Sequence, residues 1–178
     1  GGTKQVSDFP LFVGATQVTS GAQNSFDSGI YIISEGNAPG YFSTISGDCA
    51  ANGAITLGPG QTKTCTITNN DQPASITLNV VVINNNGGTA APDDFHPTLN
   101  GSVVLSGSTT PEDANTPIPV SETVLSGYQF VSITGDSECP SVLAGTATLA
   151  PGQHITCTIT NDDVASKLTL TKVVINHG

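Results

Sequence analysis

Charge is what this sequence has least of. Among its 178 residues are 14 acidic residues, 4 basic residues that are all Lys, and no Arg, which gives 10% charged residues and a formal net charge of -10. Soluble domains typically contain about 25% charged residues. A nucleic-acid-binding surface needs a stripe of Lys and Arg to neutralise phosphates, and this chain cannot supply one. The composition therefore excludes nucleic acid as a partner.

Long apolar runs and helix-forming stretches are also missing. No segment approaches the ~20 consecutive apolar residues of a membrane-spanning helix, so we expect no membrane span. The 20 Gly and 11 Pro interrupt the chain about every six residues, whereas an average helix needs ~11. The longest run without either, residues 153–177, is rich in Thr, Ile and Val, which favour strands. The sequence predicts an all-β chain.

A tandem repeat is the strongest feature that is present. Residues 57–69 recur as residues 149–161, at an offset of 92. Near the N-terminus the offset is 86, because residues 1–9 match residues 87–95. We infer two homologous domains.

The last stretch of the sequence matches the start of the central copy. Residues 168–176 match residues 76–84, which run directly on into Gly87-Gly88-Thr89. The C-terminal copy stops at Gly178, and its continuation is found at Gly1-Gly2-Thr3. Because the offsets of 86 and 92 sum to the chain length of 178, we interpret the chain as one period of a polymer.

This arrangement predicts three segments. Residues 1–73 form a β-sandwich that lacks its first strand, residues 74–164 form a complete β-sandwich, and residues 165–178 are the strand that completes a neighbouring copy. An incomplete sandwich exposes an unpaired edge and an open core, which both favour association. The aliphatic side chains of this donor strand are Leu168, Leu170, Val173, Val174 and Ile175. Burying four of them would contribute about 6 to 12 kcal/mol before ordering costs, and main-chain hydrogen bonds would add to this.

The four cysteines lie two per copy, at matching positions. The simplest pairing joins Cys49 to Cys65 and Cys139 to Cys157, and closing such loops contributes about 3 kcal/mol each. A zinc site would need closer Cys pairs and further ligands, so we expect no metal and no cofactor. Disulfides indicate an oxidising environment and hence an extracellular or cell-surface location.

The segment from Tyr31 to Tyr41, which contains Glu35-Gly-Asn-Ala-Pro-Gly-Tyr, resembles the strand-and-turn signature of prealbumin-like domains, the Cna-B-type modules of bacterial surface proteins and pilin stalks. The second copy keeps Glu122 and Gly127-Tyr128 but lacks the Ala-Pro pair. The repeated Thr-Cys-Thr-Ile-Thr-Asn strand is similar to a disulfide-bearing branch of the same group. The resemblance implies two tandem prealbumin-like or immunoglobulin-like sandwiches of roughly seven strands each.

The same resemblance implies a candidate crosslink. In Cna-B-type domains a Lys on the first strand can condense with an Asn on the last, while a buried Glu shuttles the proton; the matching residues here are Lys172, Asn69 and Glu35. Because Lys172 is on the donor strand, this isopeptide bond would join successive subunits, and it requires a desolvated, neutral amine. The central copy has Val80 in place of Lys172. The alternative is that Lys172 is a solvated edge charge and Asn69 a turn former.

Catalytic motifs are not evident in the sequence. His96, His154 and His177 are far apart in unlike contexts, and there is no nucleophile elbow or phosphate-binding loop, so we expect no enzyme. Asn100-Gly101-Ser102 is the one glycosylation sequon, which makes Asn100 the candidate glycosylation site.

The function that these features predict is structural. We expect a subunit of an extracellular, pilus-like filament, in which identical subunits assemble head to tail by strand donation into a helical or linear homopolymer. The alternative is that the chain is an excerpt of a giant covalent tandem-repeat adhesin stalk, in which a distal domain binds the target.

Overall fold

The regular structure of the protein is β, apart from two short 3₁₀ helices at Val6–Asp8 and Pro92–Phe95. The computed structural model describes residues 1–176; His177 and Gly178, which end the predicted donor segment, lie outside the described residues. The strands are β1 (Leu11–Val13), β2 (Thr16–Val18), β3 (Gly29–Glu35), β4 (Tyr41–Gly47), β5 (Ala54–Leu57), β6 (Cys65–Asp71), β7 (Ala74–Ile83), β8 (Thr98–Leu99), β9 (Ser102–Val103), β10 (Ser108–Glu112), β11 (Ile118–Ser121), β12 (Tyr128–Gly135), β13 (Gly145–Ala147) and β14 (His154–Asp163). The prediction of an all-β chain is confirmed. Within residues 1–176 no helix has the length and apolar character needed to cross a membrane.

The chain forms two compact units. The first contains residues 1–75 together with the short segments 111–117 and 148–154. The second contains residues 76–110, residues 118–147 and the chain from Ile155 onward.

Each unit contains a four-stranded antiparallel sheet with the same strand order. The order is β2-β1-β3-β5 in the first unit and β9-β8-β11-β13 in the second. The registers agree as well, because Phe12 lies opposite Ser34 in the first sheet and the matching Thr98 lies opposite Ser121 in the second. The residues that follow these serines, Glu35 and Glu122, are therefore equivalent positions in the two units.

The other sheet differs between the units. In the second unit its order is β10-β7-β14-β12, so β7 is paired on both edges. In the first unit this other sheet has two described strands, β4 and β6, which are the counterparts of β12 and β14. The counterpart of β10, residues 22–26, forms no strand, and in the described part of the chain no strand pairs with the second edge of β6. The first unit thus has a vacant strand position beside β6.

Burial of the core reflects this difference. Ile76 and Leu78 on β7 are fully buried, and so is Ile159 on β14. Ile67 on β6 matches Ile159 but is only half-buried. The core of the first unit is therefore open on the side where β7 closes the second.

One disulfide fastens each of the corresponding strand pairs. Cys49, just after β4, is bonded to Cys65 at the start of β6, with the Cα atoms 5.4 Å apart. Cys139, after β12, is bonded to Cys157 on β14, with the Cα atoms 5.7 Å apart. Each disulfide joins the segment that follows one strand to the strand paired with it, so β4 is linked to β6 and β12 to β14 at the C-terminal end of β4 and β12.

Candidate functional site

The C-terminal segment from Lys167 to Asn176 presents an exposed apolar side. Its Leu168 and Leu170 side chains are 93% and 92% exposed, and the valines and isoleucine that follow are also exposed. Residues 164–176 belong to no strand. Exposed aliphatic side chains grouped in this way are one feature of surfaces that bind another protein.

Strand β7 provides a template for this segment, because residues 76–84 and 168–176 correspond one to one. Side chains alternate between the two faces of a strand, and β7 follows this rule: Ile76, Leu78 and Val80 are buried, whereas Val81 and Ile83 are exposed. The matching inward set on the C-terminal segment is Leu168, Leu170 and Lys172, and the matching outward set includes Val173 and Ile175.

A polar pair lies at the vacant position of the first unit. Glu35 is the last residue of β3, and Asn69 lies on β6 opposite Ser43 of β4. The Asn69 side chain donates a hydrogen bond from Nδ2 to Glu35 Oε2 at 2.8 Å. Both residues line a cleft of about 270 Å³, together with Ala38, Tyr41 and Ser43 among others. The structure therefore brings together two of the three residues predicted for the crosslink, while Lys172 is exposed and belongs to no strand.

The equivalent pair in the second unit, Glu122 and Asn161, is less exposed to solvent. Asn161 is 2% exposed, and Val80 of β7 is buried in the position that corresponds to Lys172. Among residues 1–176, Glu122 Oε2 and Asn161 Nδ2 are buried without a hydrogen-bond partner. Burial raises the pKa of Glu122, and an interaction with the Asn161 side chain opposes the rise only in part. Glu122 and Asn161 therefore interact more weakly than Glu35 and Asn69, which form a hydrogen bond of 2.8 Å.

Asp163, at the end of β14, holds the turn that follows β7. Its carboxylate accepts hydrogen bonds from the backbone N–H groups of Asn85, Asn86 and Gly88, at 2.6 to 3.0 Å. Burial acts to raise the pKa of Asp163, but these hydrogen bonds, with one from the Asn86 side chain, together lower it. The carboxylate therefore stays charged where it fixes the turn.

Tyr128, which lies opposite Asp163 in the sheet, contacts the same turn through its hydroxyl group. It donates a hydrogen bond to Asn84 Oδ1 at 2.7 Å and accepts one from the backbone N–H of Ala90 at 2.8 Å. Sequence reasoning did not identify the roles of Asp163 and Tyr128. The available signal was the recurrence of both residues, as Asp71 and Tyr41, in the first copy.

The remaining sequence prediction concerns glycosylation. Asn100 is exposed and has a φ of +49° in the two-residue turn between β8 and β9. Within residues 1–176, no group of three His, Cys, Asp or Glu side chains is placed to hold a metal ion.

Comparison with known proteins identifies the family. The SpaA-type family described as "Prealbumin-like fold domain" matches residues 71–159, half of the chain. The chain therefore belongs to this family of prealbumin-like domains. Its structure is similar to that of the major pilin protein T-13 from Streptococcus pyogenes, with 10% sequence identity over 88% of each chain and a TM-score of 0.35. No curated protein matched the sequence.

Proposed function

We propose that the protein is a structural subunit of an extracellular, pilus-like filament, in which the C-terminal segment of one copy completes the first unit of another. One observation carries this proposal. Within residues 1–176, no strand lies on the second edge of β6, and residues 168–176, which match β7 in sequence, are exposed and belong to no strand. The segments that take part are residues 1–73, residues 74–164 and the donor strand at residues 165–178.

Docking of this strand would close the open core. Leu168 and Leu170 would take the positions of Ile76 and Leu78 and cover the half-buried Ile67. Burial of the two leucines would contribute about 3–6 kcal/mol, and each main-chain hydrogen bond would contribute about 0.5–1.5 kcal/mol. The new strand would also give residues 22–26 a neighbour, so that they could form the counterpart of β10.

The geometry of the contact determines the kind of assembly. Donor and acceptor surfaces are different parts of the chain, so each contact is heterologous, and such contacts continue into a linear or helical polymer unless the rotation closes a ring. The two disulfides support an extracellular setting. The role proposed here is mechanical cohesion rather than catalysis.

Truncation tests the donor strand directly. A chain without residues 165–178 should stay unassembled in sedimentation and electron microscopy, whereas the full chain should form filaments. Filament growth by the truncated chain would overturn the proposal. Two full-length double variants compare the inward and outward faces of the donor strand. Leu168→Asp with Leu170→Asp changes the inward face and should block assembly. Thr169→Asp with Thr171→Asp changes the outward face and should permit it.

The covalent adhesin stalk is a second candidate, and the 86- and 92-residue offsets favour it equally because they also describe an uninterrupted tandem array. The strand pairing would be the same in such an array, but a peptide bond would connect consecutive copies. Boiling native material in detergent and reductant distinguishes the two candidates. A band at the 18.0 kDa of one chain supports separate subunits without a crosslink, and a single giant species supports the stalk.

An isopeptide bond at the joint is the chemical extension of this proposal. Docking in the register of β7 would bring Lys172 to the position of Val80, on the strand next to β6, and we expect its amine to reach the hydrogen-bonded Glu35 and Asn69. The neutral Lys172 amine would attack Cγ of Asn69, Glu35 would accept and return the proton, and ammonia would leave as the new amide forms. The expected product is a reductant-resistant ladder in which each joint has lost one ammonia. Asn69→Ala should abolish the ladder, and Asn161→Ala, the matched control, should leave it intact.

Asn100 completes the set of proposed sites. Its exposed position in a hairpin turn suits glycosylation in a source that modifies sequons. A glycan would appear as extra mass on the peptide that contains Asn100, and Asn100→Gln should remove it.

A further inference from the structure

The first unit forms only some of the hydrogen bonds that Tyr128 and Asp163 make in the second unit. Tyr41 and Asp71 lie opposite each other at the ends of β4 and β6, as Tyr128 and Asp163 do in the second unit. Asp71 accepts a hydrogen bond from the Gly2 N–H at 2.6 Å, and Tyr41 Oη accepts one from the Lys4 N–H at 3.1 Å. These donors are the counterparts of Gly88 and Ala90.

The missing half is the part that β7 supplies in the second unit. There, Tyr128 also donates to the Asn84 side chain, and Asp163 also accepts the backbone N–H groups of Asn85 and Asn86. In residues 1–176 of the chain, no hydrogen bond from Tyr41 or to Asp71 fills these roles. The offset of 92 assigns the first of them to Asn176 and the other two to positions 177 and 178, which the structure does not describe.

We propose that Tyr41, which lies opposite Asp71, is a polar clamp that binds Asn176 of the donor strand of a second copy and fixes its register. Tyr41 Oη donates to Asn176 Oδ1 of the incoming strand, as Tyr128 Oη donates to Asn84 Oδ1 in the second unit. This inference rests on the proposed strand donation and adds the residues that decide how the strand is aligned.

The donor strand needs such a clamp because its apolar pattern is ambiguous. Leu168-Thr169-Leu170-Thr171 alternates with a period of two. A slip of one residue would turn the leucines outward and is excluded by burial. A slip of two residues would keep the same face inward, and on that face only Lys172 opposes it, because Lys172 would move to a position that β7 fills with an aliphatic residue. The amide of Asn176 occurs once on the strand, and a hydrogen bond to it distinguishes these registers.

A double-mutant cycle on the full chain tests the clamp. Tyr41→Phe keeps the edge-to-face contact with Phe9, whose ring centroid is 5.3 Å away, and Asn176→Ala removes the proposed acceptor. Each variant alone should raise the critical concentration for assembly about fivefold, the factor that corresponds to one net hydrogen bond. The double variant should also show a rise of about fivefold rather than about twenty-five-fold, because two residues in direct contact are not additive.

The outcomes separate this inference from the proposed function. A rise of about twenty-five-fold in the double variant would overturn the clamp while leaving strand donation intact, since assembly would still depend on residues 165–178. Assembly by the truncated chain would overturn strand donation itself. Tyr128→Phe is the matched control: it breaks the corresponding bond within one chain, so combining it with Asn176→Ala should leave the critical concentration at the value for Asn176→Ala alone. Coupling between Tyr128 and Asn176 would contradict the clamp.

Discussion

The strand pairs β4–β6 and β12–β14 share their sequence motif and the position of their disulfide, and differ in what covers them. Both pair antiparallel, and β12 accommodates one irregularity after Phe130. In the second unit β7 lies beside β14, whereas β6 has no strand on that edge within residues 1–176. The two pairs therefore differ mainly in the strand that lies beside them, while their own antiparallel pairing is alike.

The comparison extends to the polar residues. Glu35 and Asn69 form a hydrogen bond in an accessible cleft, while the equivalent Glu122 is half-buried and Asn161 is buried, with no hydrogen bond of normal geometry at Glu122 Oε2 or Asn161 Nδ2. In the second unit the strand beside β14 carries Val80 at the position that corresponds to Lys172. A strand with Lys at this position would instead provide a partner for the pair.

The largest expected effect comes from equivalent leucines on the two strands. Leu78→Ala should lower the free energy of unfolding by about 2–5 kcal/mol, because Leu78 is fully buried. Leu170→Ala should change it by no more than about 0.5 kcal/mol in the unassembled chain, because Leu170 is exposed, and should weaken assembly instead. Urea unfolding and sedimentation measure the two quantities. Equal destabilisation of the unassembled chain would show that residues 167–176 already pack within it.

The disulfides should give effects of similar size in the two units. Their sequence separations of 16 and 18 residues are close, and loops of about 15 residues contribute about 3 kcal/mol in the chain-entropy model. Double Cys→Ala variants, at Cys49 with Cys65 and at Cys139 with Cys157, should each lose about this amount in denaturant unfolding. A much smaller loss in the first unit would indicate that its open strand pair already unfolds separately.

Two carboxyl groups of the second unit should give opposite responses to pH. The pKa of Asp163 is lower in the folded protein than the value of about 3.9 in an unfolded chain, so ionised Asp163 stabilises the fold at any pH above that value. This stabilisation is lost as the pH falls through the pKa that Asp163 has in the folded protein. The pKa of Glu122 is higher in the folded protein than the value of about 4.3 in an unfolded chain. The free energy of unfolding therefore falls as the pH rises from that value through the pKa of Glu122 in the folded protein.

Substitutions make this contrast measurable. At neutral pH, Asp163→Asn should lower the thermal midpoint and Glu122→Gln should raise it, and both differences should shrink in acid. Asp71→Asn, which removes one amide contact rather than three, should cost less than Asp163→Asn. A neutral-pH loss on Glu122→Gln would contradict the assignment of its pKa to burial.

Much of this fold could be predicted from residue patterns. Frequent Gly and Pro, with Thr-, Ile- and Val-rich runs, predicted the all-β chain, and the positions of the four cysteines predicted the pairs that the structure contains. The proximity of Glu35 and Asn69 followed from the family resemblance. These features depend on local composition or on residues that recur at fixed offsets.

Features that depend on a neighbouring strand could not be predicted in the same way. Residues 22–26 correspond to β10, yet they form no strand, because a strand requires a partner for its backbone groups. The hydrogen bonds to Asp163 and Tyr128 depend on where the turn after β7 directs its amides, which no sequence period encodes. Both are consequences of tertiary context.

The smallest expected effect concerns the hairpin turns. In the β8–β9 turn both Asn100 and Gly101 have positive φ, the type I′ pattern, whereas in the β1–β2 turn Gly14 does and Ala15 does not, the type II′ pattern. Gly101→Ala should cost about 1–2 kcal/mol from backbone strain, because no atom lies within 4 Å of the added Cβ to cause a clash.

A second change should reverse that loss. Adding Asn100→Gly to Gly101→Ala recreates the Gly-Ala turn of the first unit, which needs a positive φ only at its first residue. Urea unfolding should then recover most of the free energy lost in the single variant. If the double variant stays as unstable as the single one, the strands around the two turns differ in twist, and the equivalence of the two four-stranded sheets does not extend to their hairpin ends.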